Sequence, residues 1–184
     1  MLRHGAPNMT RFRLSNTICE GNVAKKDKLE KTNAMRMLDA AGVSYECHVY
    51  DGSVALSGVE VARFLGQDQD RVFKTLVSVG RSGEHYVFMI PVAAELDLKK
   101  AAAAAGEKSI SMLKSRELLP LTGYIHGGCS PLGMKKHFRT FIDETAQLFE
   151  DSIMCSGGRI GCQIELSLRD LQKEAKAELA DLTV

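Results

Sequence analysis

The chain is expected to fold as an α+β domain, with a mixed, mostly antiparallel sheet curled into a barrel and helices around it. Three observations predict this. Short runs of alternating apolar and polar residues recur among short helical patterns, without the regular strand–helix rhythm of a doubly wound parallel sheet. Two β-rich runs, 71–79 and 84–91, are separated by Gly80-Arg81-Ser82-Gly83, which reads as a hairpin of central strands. The chain has 184 residues, 45% of them hydrophobic, enough to bury a sizeable core as one domain.

Taken in order, residues 28–41 place Leu29, Ala34, Met37, Leu38 and Ala41 at helical spacing, and Gly42 is set to end that helix. Val43, Tyr45, Cys47 and Val49 alternate with polar neighbours as a half-buried strand that Asp51-Gly52 closes. Ser57 opens a short helix that stops at Gly66. After the hairpin, a helix spans 97–105 between Asp97 and Gly106; a short strand follows at 108–112, and a short helix at 114–119 before Pro120. Strands at 140–142 and 148–154 flank a turn at 143–146, and 156–161 form a glycine-dense turn. Cys162, Ile164 and Leu166 mark one more strand, and 168–179 a last helix.

The domain therefore runs over 28–184. Residues 1–27, with Arg3, Arg11, Arg13, Lys25 and Lys26 and few acids, form a flexible extension. A mitochondrial-type presequence fits less well, because Asn16, Glu20, Gly21 and Asn22 interrupt any amphipathic helix. The net charge of +1 excludes a global basic field, so a nucleic acid would have to be gripped through local patches. Five scattered cysteines without a Cys-x-x-Cys pair argue against a disulfide framework or zinc ribbon and for a reducing, cytoplasmic location. No apolar run reaches the roughly 18–20 residues of a membrane span.

Two features could carry chemistry. Residues 123–136 hold Gly127, Gly128, Cys129, Ser130, Pro131 and Gly133, ending in Lys135-Lys136. Such a stretch is either an ordinary glycine-rich turn or a cradle whose amides, at residues 127–130, point into a cavity. Lys74 lies in the middle of an apolar strand. Its stem either packs there with the ammonium in solvent, or the ammonium faces water, an acid or a bound anion, because burying it alone costs several kcal/mol. The glycines lack P-loop spacing, and no dinucleotide fingerprint or Gly-x-Ser-x-Gly elbow occurs. His126 and Cys129 do not make a metal set, and no cofactor is implied. A lysine, two glycine-rich turns and hydroxyls at Tyr50, Thr75, Ser130 and Ser156 suit a site that binds an anion and positions an ester. No general base is evident, which leaves the nucleophile to the substrate or to water.

Phe73-Lys74-Thr75-Leu76, the stretch Gly123-Tyr124 through Lys135-Lys136, and Ser156-Gly157-Gly158 followed by Gly161 together resemble the YbaK/EbsC family, free-standing relatives of the editing domain of bacterial prolyl-tRNA synthetases. The resemblance runs from about Lys31 to the C-terminus. It implies a barrel-like α+β fold and the removal of wrongly attached amino acids from tRNA: a trans-editing deacylase for cysteinyl-tRNA(Pro), extending to cysteinyl-tRNA(Cys), in which the substrate thiol attacks its own carbonyl and leaves as a thiolactone. A deacylase for alanyl- or seryl-tRNA, or a binding module without turnover, are the other readings. It further implies that Lys74 holds the terminal adenosine phosphate or acceptor end, that Gly127 and Pro131 belong to a pocket-lining Gly-x-x-x-Pro loop, and that Tyr50, Thr75 and Ser156 occupy pocket positions. Gly128, Cys129, Ser130, Gly157 and Gly158 complete the substrate-binding set. Gln163 stands where relatives often carry Asp, and Arg159-Ile160 replaces a Lys-Arg pair, so this sequence departs from the family on the strand that would contact the substrate amine. Aminoacyl-tRNA is the implied partner, and prolyl-tRNA synthetase a second, since a small neutral protein has little charge for gripping tRNA alone.

Overall fold

The computed structural model describes residues 30–53, 56–149 and 151–184. The extension expected at 1–27 and the first residues of the helix expected from 28 lie outside them. Helix α1, Asn33–Ala41, starts where the Thr32 hydroxyl accepts from the Met35 amide and stops at Gly42, whose φ of 68° lets the chain turn away. Strand β1, Glu46–Val49, leads to α2, Gly58–Phe64, whose entry is locked by a capping box between Ser57 and Glu60. The hairpin forms as expected, from β2, Phe73–Gly80, and β3, His85–Pro91, with Lys74 opposite Ile90. Helix α3, Leu98–Ala105, is capped by Asp97 and Gly106.

Strand β4, Ile110–Met112, precedes α4, Ser115–Thr122. That helix runs through Pro120 instead of stopping before it. The proline deprives only the Arg116 carbonyl, on an exposed residue, of its helical donor. Strand β5, Arg139–Asp143, is followed by a 3-10 turn, Glu144–Leu148, then β6, Ile153–Arg159, β7, Cys162–Leu166, helix α5, Leu168–Ala175, and β8, Ala177–Ala180. Three expectations need correction here. The strand expected from 148 begins at Ile153, because Asp143 caps the 3-10 turn through the Thr145 amide. Ser156 to Arg159 extend β6 through an irregular register instead of forming a turn. The last helix ends at Ala175, Lys176 takes φ 50°, and the following residues pair in parallel with β5. Local helical preference yields there to the unpaired edge of β5.

The strands form two sheets: antiparallel β1-β7-β6, and a mixed sheet ordered β4-β2-β3-β5-β8, parallel only at β3-β5 and β5-β8. The α+β class with mixed, mostly antiparallel pairing holds, but among the described residues no sheet closes into a barrel. Among the described residues one isolated parallel bridge, Val72 to Met154, links the sheets by backbone pairing, and β1 and β8 each end a row instead of pairing to seal it. One face of the larger sheet packs Tyr86, Phe88 and Ile90 on the alanines of α3; the other sends Phe73, Met89 and Ile142 into the core shared with α1, α5 and the smaller sheet.

Candidate active site

Strand β4 pairs with β2 only at Ser78–Gly80, so the earlier half of β2 has an open edge. A cavity of about 320 Å³ lies along it, walled by β2 on one side and by α2, α4, the loop at 126–129 and the smaller sheet on the others. Val72 accepts from the Val92 amide and Val77 from the Leu113 amide, so even-numbered residues of β2 turn their main chain to β3 and odd-numbered ones to the opposite side. The peptide groups of Thr75 therefore face the open edge.

Lys74 lines this cavity. Its Nζ donates to the carbonyls of Val92 (3.1 Å) and Ala94 (2.6 Å), where the chain leaves β3. Partial burial lowers its pKa, and nearby Glu95 opposes that shift. Two carbonyls occupy two of the three ammonium donors and fix its direction, which leaves one for the cavity. None of the described residues that line the cavity is Asp or Glu, and one is a histidine, His126.

Tyr50, Thr75, Gly127, Cys129 and Ser156 join Lys74 in the lining. Gly128, Ser130, Pro131, Gly157 and Gly158 do not. The three glycines are points of close packing instead. A Cβ on Gly128 would sit 2.9 Å from the Ile160 nitrogen and 3.0 Å from the Arg159 Cα, so the two glycine-rich segments meet backbone to backbone. On Gly157 it would meet the Cys162 sulfur at 2.6 Å, and on Gly158 the Tyr124 ring at 3.0 Å. Ser130 is fully buried and its Oγ accepts from the Leu132 amide. Of the amides at 127–130 expected to face a cavity, that of Gly128 donates to the Ile125 carbonyl within its own loop.

Cys129 is buried, and burial pushes its thiol up to about 12. It stays protonated at neutral pH and is a poor nucleophile. Two polar atoms on opposite walls are buried without a protein partner, Thr75 Oγ1 and Gln163 Oε1. Such atoms each cost free energy unless something entering the cavity satisfies them. Gln163 and the carbonyls that orient Lys74 were not assigned a place in the site from sequence. The hairpin register carried the signal for the carbonyls, since residue 74 opposite 90 brings 92 and 94 alongside; for Gln163 the signals were its alternation with core residues of β7 and its place where relatives often carry Asp. Among the described residues, Glu46, His48 and Glu165 are close enough to hold a metal, but they lie outside the cavity lining. There Glu165 already accepts from Ser152 (2.5 Å) and pairs with His48 (2.8 Å).

The sequence matches the model of the aminoacyl-tRNA editing domain over residues 54–174. It is 44% identical over 162 residues, 88% of this chain and 98% of the relative, to EbsC of Enterococcus faecalis, named as a candidate Cys-tRNA(Pro)/Cys-tRNA(Cys) deacylase. A shorter match, 35% over 77 residues, covers 42% of this chain and 13% of a proline–tRNA ligase of Pelobacter propionicus. Two crystal structures, of a candidate trans-editing enzyme for prolyl-tRNA synthetase and of a hypothetical protein, superpose with TM-scores of 0.72 and 0.75. Both cover 83% of this chain and 95% and 100% of their own, at 23% identity, and so speak to the fold. With its fold, its lysine-bearing cavity strand and a sequence match across most of its length, the chain belongs to the aminoacyl-tRNA editing domain family and, within it, to the YbaK/EbsC group.

Proposed function

We propose that this protein is a trans-editing deacylase that clears cysteine from tRNA(Pro), with tRNA(Cys) as a second carrier. The observation that carries the reading is an oriented ammonium in a cavity whose described lining has no carboxylate and whose one thiol is held protonated. Such a site can hold an anionic acceptor end, and neither its thiol nor a carboxylate among the described lining residues supplies an activated nucleophile or base; the imidazole there is that of His126. The substrate thiol supplies the nucleophile: its sulfur bonds to the aminoacyl carbonyl carbon, the ester C–O bond breaks, and the thiol proton ends on the ribose oxygen. Free tRNA and a cyclic thiolactone leave. A tethered sulfur gains effective molarity that alanine lacks altogether, and a serine hydroxyl is a far weaker nucleophile, so chemistry adds to fit in selecting cysteine.

In this reading Lys74 steadies the terminal phosphate, Thr75 and Gln163 offer polar contacts across the cavity, and Tyr50, Gly127 and Ser156 shape it. Prolyl-tRNA synthetase is the proposed partner, delivering tRNA at raised local concentration. The test charges one tRNA(Pro) with labelled cysteine, alanine or serine and follows loss of label with product identification. Release of thiolactone from cysteine alone is the expected result. Equal rates on all three, or free cysteine as the first product, would remove the thiol-assisted mechanism.

A further inference from the structure

Charge is unevenly divided along this chain. Residues 30–107 carry eight Lys and Arg against 11 acids, and residues 140–184 four against nine, whereas residues 108–139 between them carry six against one, Glu117. That cationic stretch builds one side of the cavity. Met112, Ser115, His126 and Gly127 are at once in the lining and exposed, so they border its opening. Lys114 stands between the lining residues Leu113 and Ser115 as the N-cap of α4, and Arg116 follows in the first turn. Lys135 returns to the other end of the helix: its amide donates to the Thr122 carbonyl (3.0 Å), its Nζ donates to the Pro120 carbonyl (3.5 Å), and its stem packs against Gly123. At a rise of about 1.5 Å per residue, Lys114 and Thr122 are about 12 Å apart, so Lys114, Arg116, Lys135 and Lys136 are strung along α4. All four are exposed. Lys31, Arg71 and Lys100, by contrast, each hold a carboxylate at 2.6 to 2.8 Å. Among the described residues Lys114, Lys135 and Lys136 have no ion-pair partner, and Arg116 has only its neighbour Glu117 at 4.0 Å.

We infer that Lys114, Arg116, Lys135 and Lys136 form a basic row along α4, beside the cavity opening, that engages the phosphodiester backbone of the tRNA acceptor arm. The inference rests on the deacylase reading for its choice of RNA, and it adds a backbone contact to the one proposed for Lys74 at the terminus. Exposed cations without acidic partners keep their charge for an external anion, and a substrate whose 3′ end enters the cavity brings its backbone phosphates past the wall that flanks the opening. The net-negative segments on either side in sequence repel the polyanion and so favour that one approach. A row of this kind acts by neutralising phosphates and releasing counterions, so it raises affinity in a salt-dependent way and leaves the chemical step alone.

The test replaces Lys114→Gln, Arg116→Gln and Lys136→Gln together in the full chain and keeps Lys135, whose stem packs on Gly123. A control removes equal charge from α3 and α5, neither of which lines the cavity, through Lys99→Gln, Arg169→Gln and Lys173→Gln. Deacylation of Cys-tRNA(Pro) and fluorescence anisotropy of uncharged tRNA are followed between about 50 and about 200 mM salt, beside cysteine esterified to the 3′-terminal trinucleotide alone. The α4 variant should show a KM for Cys-tRNA(Pro) raised about tenfold at the lower salt, an unchanged kcat, and a slope of log affinity against log salt shallower by about 2. The control should stay within about twofold of wild type, and all three proteins should cleave the trinucleotide ester alike. A tRNA KM and salt slope that ignore the α4 substitutions, or that the control moves as far, overturn the row and leave the deacylase standing. Unaltered tRNA binding with lost binding to prolyl-tRNA synthetase also overturns it, since the surface would then dock a protein. Binding of tRNA that depends on the row, with neither ester cleaved, keeps the row and overturns the deacylase. Should the triple variant melt early, Lys136→Gln alone is read by the same salt titration, with a slope change of about 0.7 to 0.9 expected and an unchanged slope overturning the row.

Discussion

The two walls of the cavity are built on opposite principles. On the β2 side, regular strand geometry aims specific groups: an ammonium held by two carbonyls, an unpartnered hydroxyl, and peptide groups left open because β4 stops short. On the glycine side, segments 127–133 and 156–161 contribute mainly thinness. Gly128 lets one backbone press against the other, and Gly133 lets its loop press on the start of α1, where a Cβ would lie 2.7 Å from the Asn33 carbonyl carbon. One wall presents chemistry and the other sets distance. Substitutions should therefore separate turnover from stability according to the wall they touch.

The largest expected effect is on the β2 wall. Lys74→Ala should cut deacylation of Cys-tRNA(Pro) by about 100-fold or more, corresponding to about 3 kcal/mol of lost transition-state stabilisation, while circular dichroism stays native. Normal turnover in that variant would dissolve the contrast. On the glycine wall, Gly128→Ala should lower stability by about 1–3 kcal/mol, read as a fall in Tm of about 2–4 °C for each kcal/mol, with activity falling because the walls are pushed apart. An unshifted melting curve would mean that the two segments do not press together.

A smaller effect sharpens the comparison. Thr75→Val keeps shape and removes the unpartnered hydroxyl, so stability should hold or rise slightly while kcat/KM falls about tenfold. If both stay unchanged, that hydroxyl does not meet substrate. The smallest effect on turnover belongs to Cys129→Ala, expected within about threefold of wild type, since the protonated thiol takes no covalent part. The same burial has a pH signature. Folded-state pKa values of about 12 at Cys129 and Cys155 lie above the unfolded thiol value, so the folded state keeps protons that the unfolded state loses. Their contribution is complete below about pH 8.5 and declines as pH rises toward 12, by about 1.4 kcal/mol per pH unit per thiol. Urea titrations between pH 8 and 10.5 would show whether that decline exists.

Legibility from sequence divided along the same line. The hairpin, the caps at Ser57 and Asp97, and the helix-ending Gly42 and Gly106 were readable because each depends on residues within a few positions. Lys74, Thr75, Tyr50 and Ser156 could be named as site candidates and do converge on the cavity. Of the glycine-rich stretches, composition could not say which residues line and which pack, because a glycine leaves the same trace in sequence whether it bends the chain, faces a ligand or admits another backbone. The segment after Ala175 reads as helix from its own residues and becomes β8 because β5 offers an edge.

The sequence by itself determined the α+β class, the order of most elements and a short list of chemically unusual residues, because periodicity and capping act over a few residues. Only the tertiary structure decided that the sheets stay separate, that β4 ends early enough to open β2, and that Val92 and Ala94 hold the Lys74 ammonium. Those outcomes depend on which strand edges find partners, and pairing between residues far apart in the chain is set by the packing of the whole core.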